Sequence, residues 1–396
     1  MRKRLLLLPC FVACSICVHG QTQTRTEVTG SVSGHVFCAD TNQPARFAMV
    51  LLQPPPHKFT PNEEPTPSPT ARTALDGSFH FPKVKPGTYY LLAEYAGYVS
   101  PIAKVPSIGV DNSDQAVVES LEKVLNKVTV AANKESTAEI ELERGAAVAG
   151  TIHYDDGSPA NSVEVSILRQ EKDGKLAPVT LQLADRMGIV NPRTVAQTDD
   201  KGYFRISGLP AGKYVAETTF PTTSVSYGGL FGGPSIVNIR NNESTALKVY
   251  SGNVFRSKDA KVVELVAGEE RDGADITIPL LGLHSISGSI LALSDGHPVN
   301  SAHILLLYAD DKTTLRNIDL DEEGRFSFVY LPEGEYILRV TDAADTVKET
   351  KHEGPMHYEV DKPVHTYGSV DQPILLHADV PSLIINVPEK SQSPKQ

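Results

Sequence analysis

A short grammar is written three times along this 396-residue chain. Asp76-Gly77-Ser78-Phe79 leads to Gly87-Thr88-Tyr89, Lys201-Gly202-Tyr203-Phe204 leads to Gly212-Lys213-Tyr214, and Glu323-Gly324-Arg325-Phe326 leads to Gly334-Glu335-Tyr336. In every copy the two glycines are ten residues apart, and a Phe and a Tyr each follow a glycine by two. Fixed internal spacing marks a repeated folding unit and restricts the chain to architectures in which one unit is built three times.

The context of the grammar predicts strands. Phe79 and Phe81, Phe204 and Ile206, and Phe326 and Phe328 alternate, so each pair points to one face of a strand. Val84, Leu209 and Leu331 precede a second turn (Lys-Pro-Gly, Pro-Ala-Gly, Pro-Glu-Gly), after which Tyr89, Tyr214 and Tyr336 open a further strand with the ring on the core and the hydroxyl tied to a loop. Upstream, each copy has a strand with a glycine inside it (Gly34, Gly150, Gly288), a turn closed by Pro44, Pro159 or Pro298, and a second apolar run. A glycine recurring inside a strand predicts a bulge or the close approach of another backbone. Asp-Gly and Lys-Gly are read as hairpin turns. Two more strands end each copy, at 127–131 and 138–142, 262–266 and 274–279, and 373–377 and 382–387. About seven strands per copy, with turn signals every 8 to 12 residues, predict a two-sheet sandwich.

The copies differ mainly in one loop. Gly34 to Gly77 is 43 residues, Gly150 to Gly202 is 52 and Gly288 to Gly324 is 36. In the first copy residues 54–69 hold seven prolines in sixteen positions, an extended, solvated insertion. Residues 115–126 suit a short amphipathic helix as well as a strand. The Gly-rich insert at 222–256 is expected to be a mobile loop.

The mid-strand glycines, the Asp-Gly or Asn-Gln turns with their prolines, and the Asp-Gly-x-Phe…Leu-Pro-x-Gly-x-Tyr run resemble the carboxypeptidase regulatory-like domain. The first copy departs by Val84-Lys85-Pro86 and the second by Lys201. The resemblance implies an all-β chain of three tandem seven-stranded transthyretin-like (Ig-like) sandwiches. It divides the chain into a signal peptide (1–20), sandwiches at 21–143, 144–280 and 281–388, and a disordered tail (389–396). The family is an accessory module found beside carboxypeptidase catalytic domains, at the start of outer-membrane receptors and in secreted multi-repeat proteins. It implies fold more than function.

Residues 1–20 start with Arg2-Lys3-Arg4 and continue with an apolar run to Val18, which reads as a secretory signal. Pro9 and the shortness of the run argue against a retained anchor. Phe11-Val12-Ala13-Cys14 faintly resembles a lipoprotein cleavage box, which leaves lipidation at Cys14 as an alternative. The mature chain would keep only Cys38, too few for an intrachain disulfide. Its net charge of −11 becomes −14 without the signal, which excludes nucleic acid as a partner. No other stretch is long and apolar enough to span a bilayer, so the expected location is periplasmic, secreted or cell-surface.

Catalytic patterns are missing. None of the twelve histidines has Glu three residues on, and neither a Gly-x-Ser-x-Gly elbow nor a phosphate-binding loop occurs. His352, His357, Glu359 and His365 lie without helical spacing and read as a solvated loop. Asp199, Asp200, Asp319, Asp321, Glu322 and Glu323 read as turn formers rather than calcium ligands. No catalytic residue, cofactor or metal is therefore assigned. With no Trp in the chain, the aromatics expected to be exposed for ligand contact are Tyr95 and Tyr98, or Tyr227 and Phe231. The expectation is an exported, non-catalytic binding or spacer array whose partner is an envelope protein or a glycan. The alternative is a carbohydrate-binding protein using those aromatics.

Overall fold

A computed structural model describes residues 28–55, 68–104, 119, 122–179, 195–220, 247–321, 323–353 and 356–390. They form three tandem β-sandwiches. The first contains β1 (Gly30–Cys38), β2 (Gln43–Pro44), β3 (Met49–Gln53), β4 (Thr70–Arg72), β5 (Ser78–Val84), β6 (Gly87–Glu94), β7 (Asn126–Val130) and β8 (Glu135–Leu142). One sheet has the order β5-β1-β8, with β2 on β1; the other runs β4-β3-β6-β7.

The second repeats this with β9 (Ala146–Tyr154), β10 (Glu164–Gln170), β11 (Leu176–Pro178), β12 (Val195–Gln197), β13 (Tyr203–Leu209), β14 (Gly212–Phe220), β15 (Leu247–Tyr250), β16 (Val263–Leu265), β17 (Glu270–Arg271) and β18 (Ile276–Ile278). Here β9 lies between β13 and the split strand β17 and β18. In the facing sheet β10 joins β11 and β12 to β14, which carries β15 and β16. The third contains β19 (Leu283–Ala292), β20 (Ser301–Tyr308), β21 (Thr314–Asp319), β22 (Arg325–Pro332), β23 (Gly334–Glu353), β24 (Met356–Thr366), β25 (Val370–Leu376) and β26 (Val380–Val387). Its sheets are β22-β19-β26 and β21-β20-β23 with β24 and β25 on β23.

Several expectations drawn from the repeat hold at atomic detail. Phe79, Phe81, Phe204, Ile206, Phe326, Phe328, Val84, Leu209 and Leu331 are buried in the three cores. Removing each of these side chains from water contributes about 1.5–3 kcal/mol. The mid-strand glycines mark close approaches of a parallel strand. A Cβ on Gly34 would lie 1.8 Å from Ala138 O, on Gly150 2.5 Å from Ala274 O and on Gly288 2.0 Å from Leu383 O. The corner tyrosines donate to the carbonyl four residues back: Tyr89 to Lys85 at 3.0 Å, Tyr214 to Pro210 at 2.6 Å and Tyr336 to Pro332 at 2.8 Å. Each such bond contributes about 1 kcal/mol.

Three expectations are corrected. The glycine turns on either side of β5 are not hairpins between paired strands: β4 and β5, and β5 and β6, belong to opposite sheets, and β1 turns back only onto the two-residue β2 before β3 enters the other sheet. Alternation reveals which face of a strand is buried and leaves open which strand lies beside it. The turns are compact all the same, since Ala74 N–H bonds Ser78 O at 2.8 Å and Gly77, at φ 80°, bonds back to Ala74 O at 3.0 Å. Second, the stretch with His352, His357, Glu359 and His365 is no loop. It belongs to the β23–β24 ribbon, in which His352 pairs with His357 and Thr350 with Glu359. Third, the insert at 222–256 is ordered at its end, where β15 pairs with β14. Its earlier part, with Tyr227 and Phe231, lies outside the described residues, as do residues 1–27, 56–67 and 391–396. Of 115–126, Glu119 and residues 122–124 are helical, and Asn126 starts β7.

A buried threonine completes the first two copies and escapes sequence reading. Thr73 Oγ1 donates to Ala45 O at 2.5 Å and accepts Ala48 N–H at 2.8 Å; Thr198 Oγ1 does the same with Ala160 O at 2.6 Å and Val163 N–H at 2.9 Å. Leu320 holds this position in the third copy, with only its backbone N–H on Ala302 O.

Alanine at Gly288 should lower the unfolding free energy of the third sandwich by about 3 kcal/mol, because two backbones must separate. Gly296→Ala, at φ 77° with nothing within 4 Å of the added Cβ, should lower it by only about 1 kcal/mol. Chemical denaturation of the two variants measures the difference, and equal midpoints would refute the close-approach account.

Candidate functional surfaces

Tyr98 is 9% exposed, against the expectation of an open ligand-contact ring. Its hydroxyl donates to Asp40 Oδ1 at 2.9 Å, its ring stacks on the half-buried Tyr95 with centroids 5.4 Å apart, and the Arg144 guanidinium lies 4.8 Å from its centroid. Burial pushes its phenol above the ordinary value. The chain is turning here from β6 into the junction with the second sandwich, so the ring covers core. Exposed aromatics among the described residues include Phe47, Tyr203 and Tyr330, one on each sandwich.

The turn carboxylates serve the turns. Asp199 Oδ1 accepts the N–H of Lys201 and Tyr203, both at 2.9 Å, and Asp321 Oδ1 accepts those of Glu323 at 3.0 Å and Arg325 at 2.8 Å. Asp319 pairs with His303 Nδ1 at 2.8 Å. Among the described residues no group of three or more His, Cys, Asp and Glu could hold a metal.

What the structure adds is two joints of different chemistry. At the first, Val99 and Ala103, from the first sandwich's connection between β6 and β7, are buried in the core of the second. Val99 N–H bonds Glu143 O at 2.9 Å, Gly145 N–H bonds Gly97 O at 3.0 Å and Arg169 Nη1 donates to Ala103 O at 3.0 Å. Gly145 lies so close to Gly208 that a Cβ on it would be 2.5 Å from the Gly208 Cα. A cleft of about 210 Å³ opens beside this seam, with Arg144, Arg205 and Glu270 in its wall.

The second joint is ionic. The Arg256 guanidinium lies 3.9 Å from the centroid of the Tyr308 ring and donates to Asp310 Oδ2 at 2.9 Å and to Asp311. Lys258 reaches the same carboxylates, Asp310 at 3.1 Å and Asp311 at 2.7 Å. Asp155 Oδ2 accepts the N–H of Leu280 and Leu281, fixing the connecting segment. The bond from Arg256 lowers Asp310 to about 2, and Lys258 chiefly holds Asp311 below the ordinary carboxylate range. Arg256 lies at the end of the insert expected to be mobile. No local pattern flagged it, because its partners come from the next sandwich.

Comparisons with known proteins add little to this geometry. No family model and no curated protein matches the chain. Similar solved structures include the Bacillus anthracis TIE protein, at 14% identity over 92% of this chain and 51% of that one, with a TM-score of 0.21. A streptococcal ancillary pilin is 10% identical over 91% of this chain and 100% of that one (TM-score 0.29). The major pilin subunit of Bacillus cereus is 11% identical over 91% and 99% (TM-score 0.20). The chain thus spans about half the length of the first of these. At such TM-scores the likeness carries no argument, and the fold rests on the strand order above. Among the described residues no helix is long and apolar enough to cross a membrane.

The ionic joint has a defined response to acid. Both carboxylates are depressed in the folded state, so their contribution is fully present above the ordinary value of about 4; that of Asp310 is lost as pH falls through about 2 and that of Asp311 only below it. Spin-label distances between the second and third sandwiches should hold from pH 7 to about 4 and broaden near pH 2. Arg256→Ala should broaden them already at pH 7, and an unchanged distribution in that variant would show that the joint does not depend on this contact.

Proposed function

We propose that this chain is an exported, non-catalytic array of carboxypeptidase regulatory-like sandwiches, divided near residues 143 and 280, that serves as a spacer or binding scaffold at the cell envelope. The observation that carries this reading is the parallel pairing of the opening and closing strands of each unit, β1 with β8 and β19 with β26, as well as β9 with β17 and β18. Parallel neighbours send the chain in at one end of a sheet and out at the other. Successive units therefore follow one another, each advancing the chain by about 25 Å for a strand of eight residues. The joints support the same reading, since side chains of neighbouring units meet there. The residues that repeat are used in folding: the Phe pairs in the cores, the tyrosines at corners, the aspartates in turns.

Fractionation of cells expressing the full chain, with N-terminal sequencing, is expected to give an exported protein beginning near Gln21. A protein that stays inside with residues 1–20 attached would refute export, and hydrolase activity abolished by one polar substitution would refute the non-catalytic reading. Cross-linking in intact cells is expected to join it to an envelope protein. A glycan array with strong, saturable binding lost in variants of Phe47, Tyr203 or Tyr330 would favour the carbohydrate reading instead.

A further inference from the structure

The turn between β19 and β20 shares with the base of the β23–β24 ribbon a polar cluster that the repeat does not require. His297 Nδ1 lies 2.5 Å from Asp295 Oδ1, and His297 Nε2 lies 3.1 Å from Asp345 Oδ2. An ionised carboxylate can only accept, so with both carboxylates ionised the two contacts together take the two N–H groups of an imidazolium. Tyr367 closes the arrangement: its hydroxyl donates to Asp345 Oδ2 at 2.6 Å, and its oxygen lies 3.1 Å from Nε2, placed to accept that N–H. The groups facing His297 are thus Asp295 from the turn, Asp345 from β23 and Tyr367 from the end of β24. His365 of β24 lies beyond Tyr367 with its ring 4.9 Å away, and Glu389 bridges the Tyr367 backbone.

The cluster sits where the ribbon leaves the sandwich. Asp345 pairs with His365 but Thr346 with Pro363, so the register of β23 with β24 shifts at this point. Beside it Asn300 Nδ2 donates to Thr346 O at 3.0 Å, and Thr346 N–H donates to Asn300 Oδ1 at 2.8 Å, a pin with no titratable group. His297 and Asn300 together stitch the turn to two consecutive residues of β23.

We propose that the His297 imidazolium is a pH-released latch that holds the base of the β23–β24 ribbon against the β19–β20 turn. A neutral ring keeps one N–H, and the shorter bond to Asp295 retains it. Nε2 then becomes an acceptor, the Tyr367 hydroxyl turns to it, and Asp345 loses both donors. The bonds to Asp295 and then Asp345 raise the histidine above its ordinary value, and the bond from His297 lowers Asp295. For a group raised on folding the latch is complete below the ordinary value of about 6.5 and is lost as pH rises through the higher folded value.

NMR of the full-length chain tests this. The His297 ring is expected to show two protonated nitrogens at pH 6 and to titrate above about 6.5. Amide protection at residues 344–347, corrected for intrinsic exchange, is expected to fall about tenfold across that transition. His297→Gln should abolish the step, and Asn300→Ala should enlarge it. Titration at or below the ordinary value, or a step that survives in His297→Gln, overturns the proposal. The wild-type titration decides the matter alone if the variants do not fold.

Discussion

Each sandwich closes where the backbone of its last strand lies against a glycine of its first. At Gly34, Gly150 and Gly288 the neighbouring strand comes closer than any side chain would allow. The contact is parallel and non-local, joining Gly34 to Ala138 across most of the unit. It therefore forms late in any folding route dominated by local contacts. Because the first and last strands are neighbours in the same sheet, the closing strand covers an edge of the opening strand that would otherwise offer unpaired backbone groups to another chain. Direction follows from the same contact, since only parallel partners carry the chain from one end of the unit to the other.

The repeated residues were readable because each meets a local demand. Phe79 and Phe81 follow the two-residue period of a strand, Tyr214 reaches a carbonyl four residues back, and Gly77 has φ 80° in a tight turn. Sheet membership was not readable, since β4 and β5 adjoin in sequence and lie in opposite sheets. No local pattern marks Thr73 and Thr198, because their buried hydroxyls bond to backbone groups between 25 and 38 residues away. Tyr98 was misread for a related reason. Its exposure depends on Asp40 and Arg144, which only the fold brings to it.

The two joints divide the same labour between different forces. Val99 and Ala103 make the first joint partly a piece of core, and apolar burial is not screened by ions as charge contacts are. The second joint combines a cation over an aromatic ring with four charged groups, contacts that weaken as ionic strength rises. Arg256 is the well-placed member: its side chain is 19% exposed, it is held by two carboxylates, and its flat face rests on Tyr308, which itself packs beside Tyr336 of the core at 5.8 Å between centroids. Lysine at that position would supply charge without the stacking plane. The first joint is thus the stiffer under changing solvent, and the second is where solution conditions act on the array.

A shared irregularity shows how copies of one fold diverge. In each unit the strand carrying the Phe pair has one extra residue against its antiparallel partner, at Gly30/Val32, Ser207/Leu209 and His284/Ile286. Such a bulge bends the strand toward the next turn. In the second copy the extra residue is Gly208, at φ 82°; the space left by its missing side chain receives the Tyr98 carbonyl at the first joint, and its backbone in turn fills the space that a side chain on Gly145 would need. In the third copy it is Tyr330, at φ 55°, whose ring points to solvent while its carbonyl and that of Val329 accept from Arg316. That guanidinium is 2% exposed, and burial lowers it to about 10, still well above neutrality. A buried cation held by backbone carbonyls alone persists only if the bulge presents them together, so Arg316 and the bulge require one another. The same backbone feature seats a neighbouring unit in one copy and holds a charge in another, with no change to the grammar that builds the sandwich.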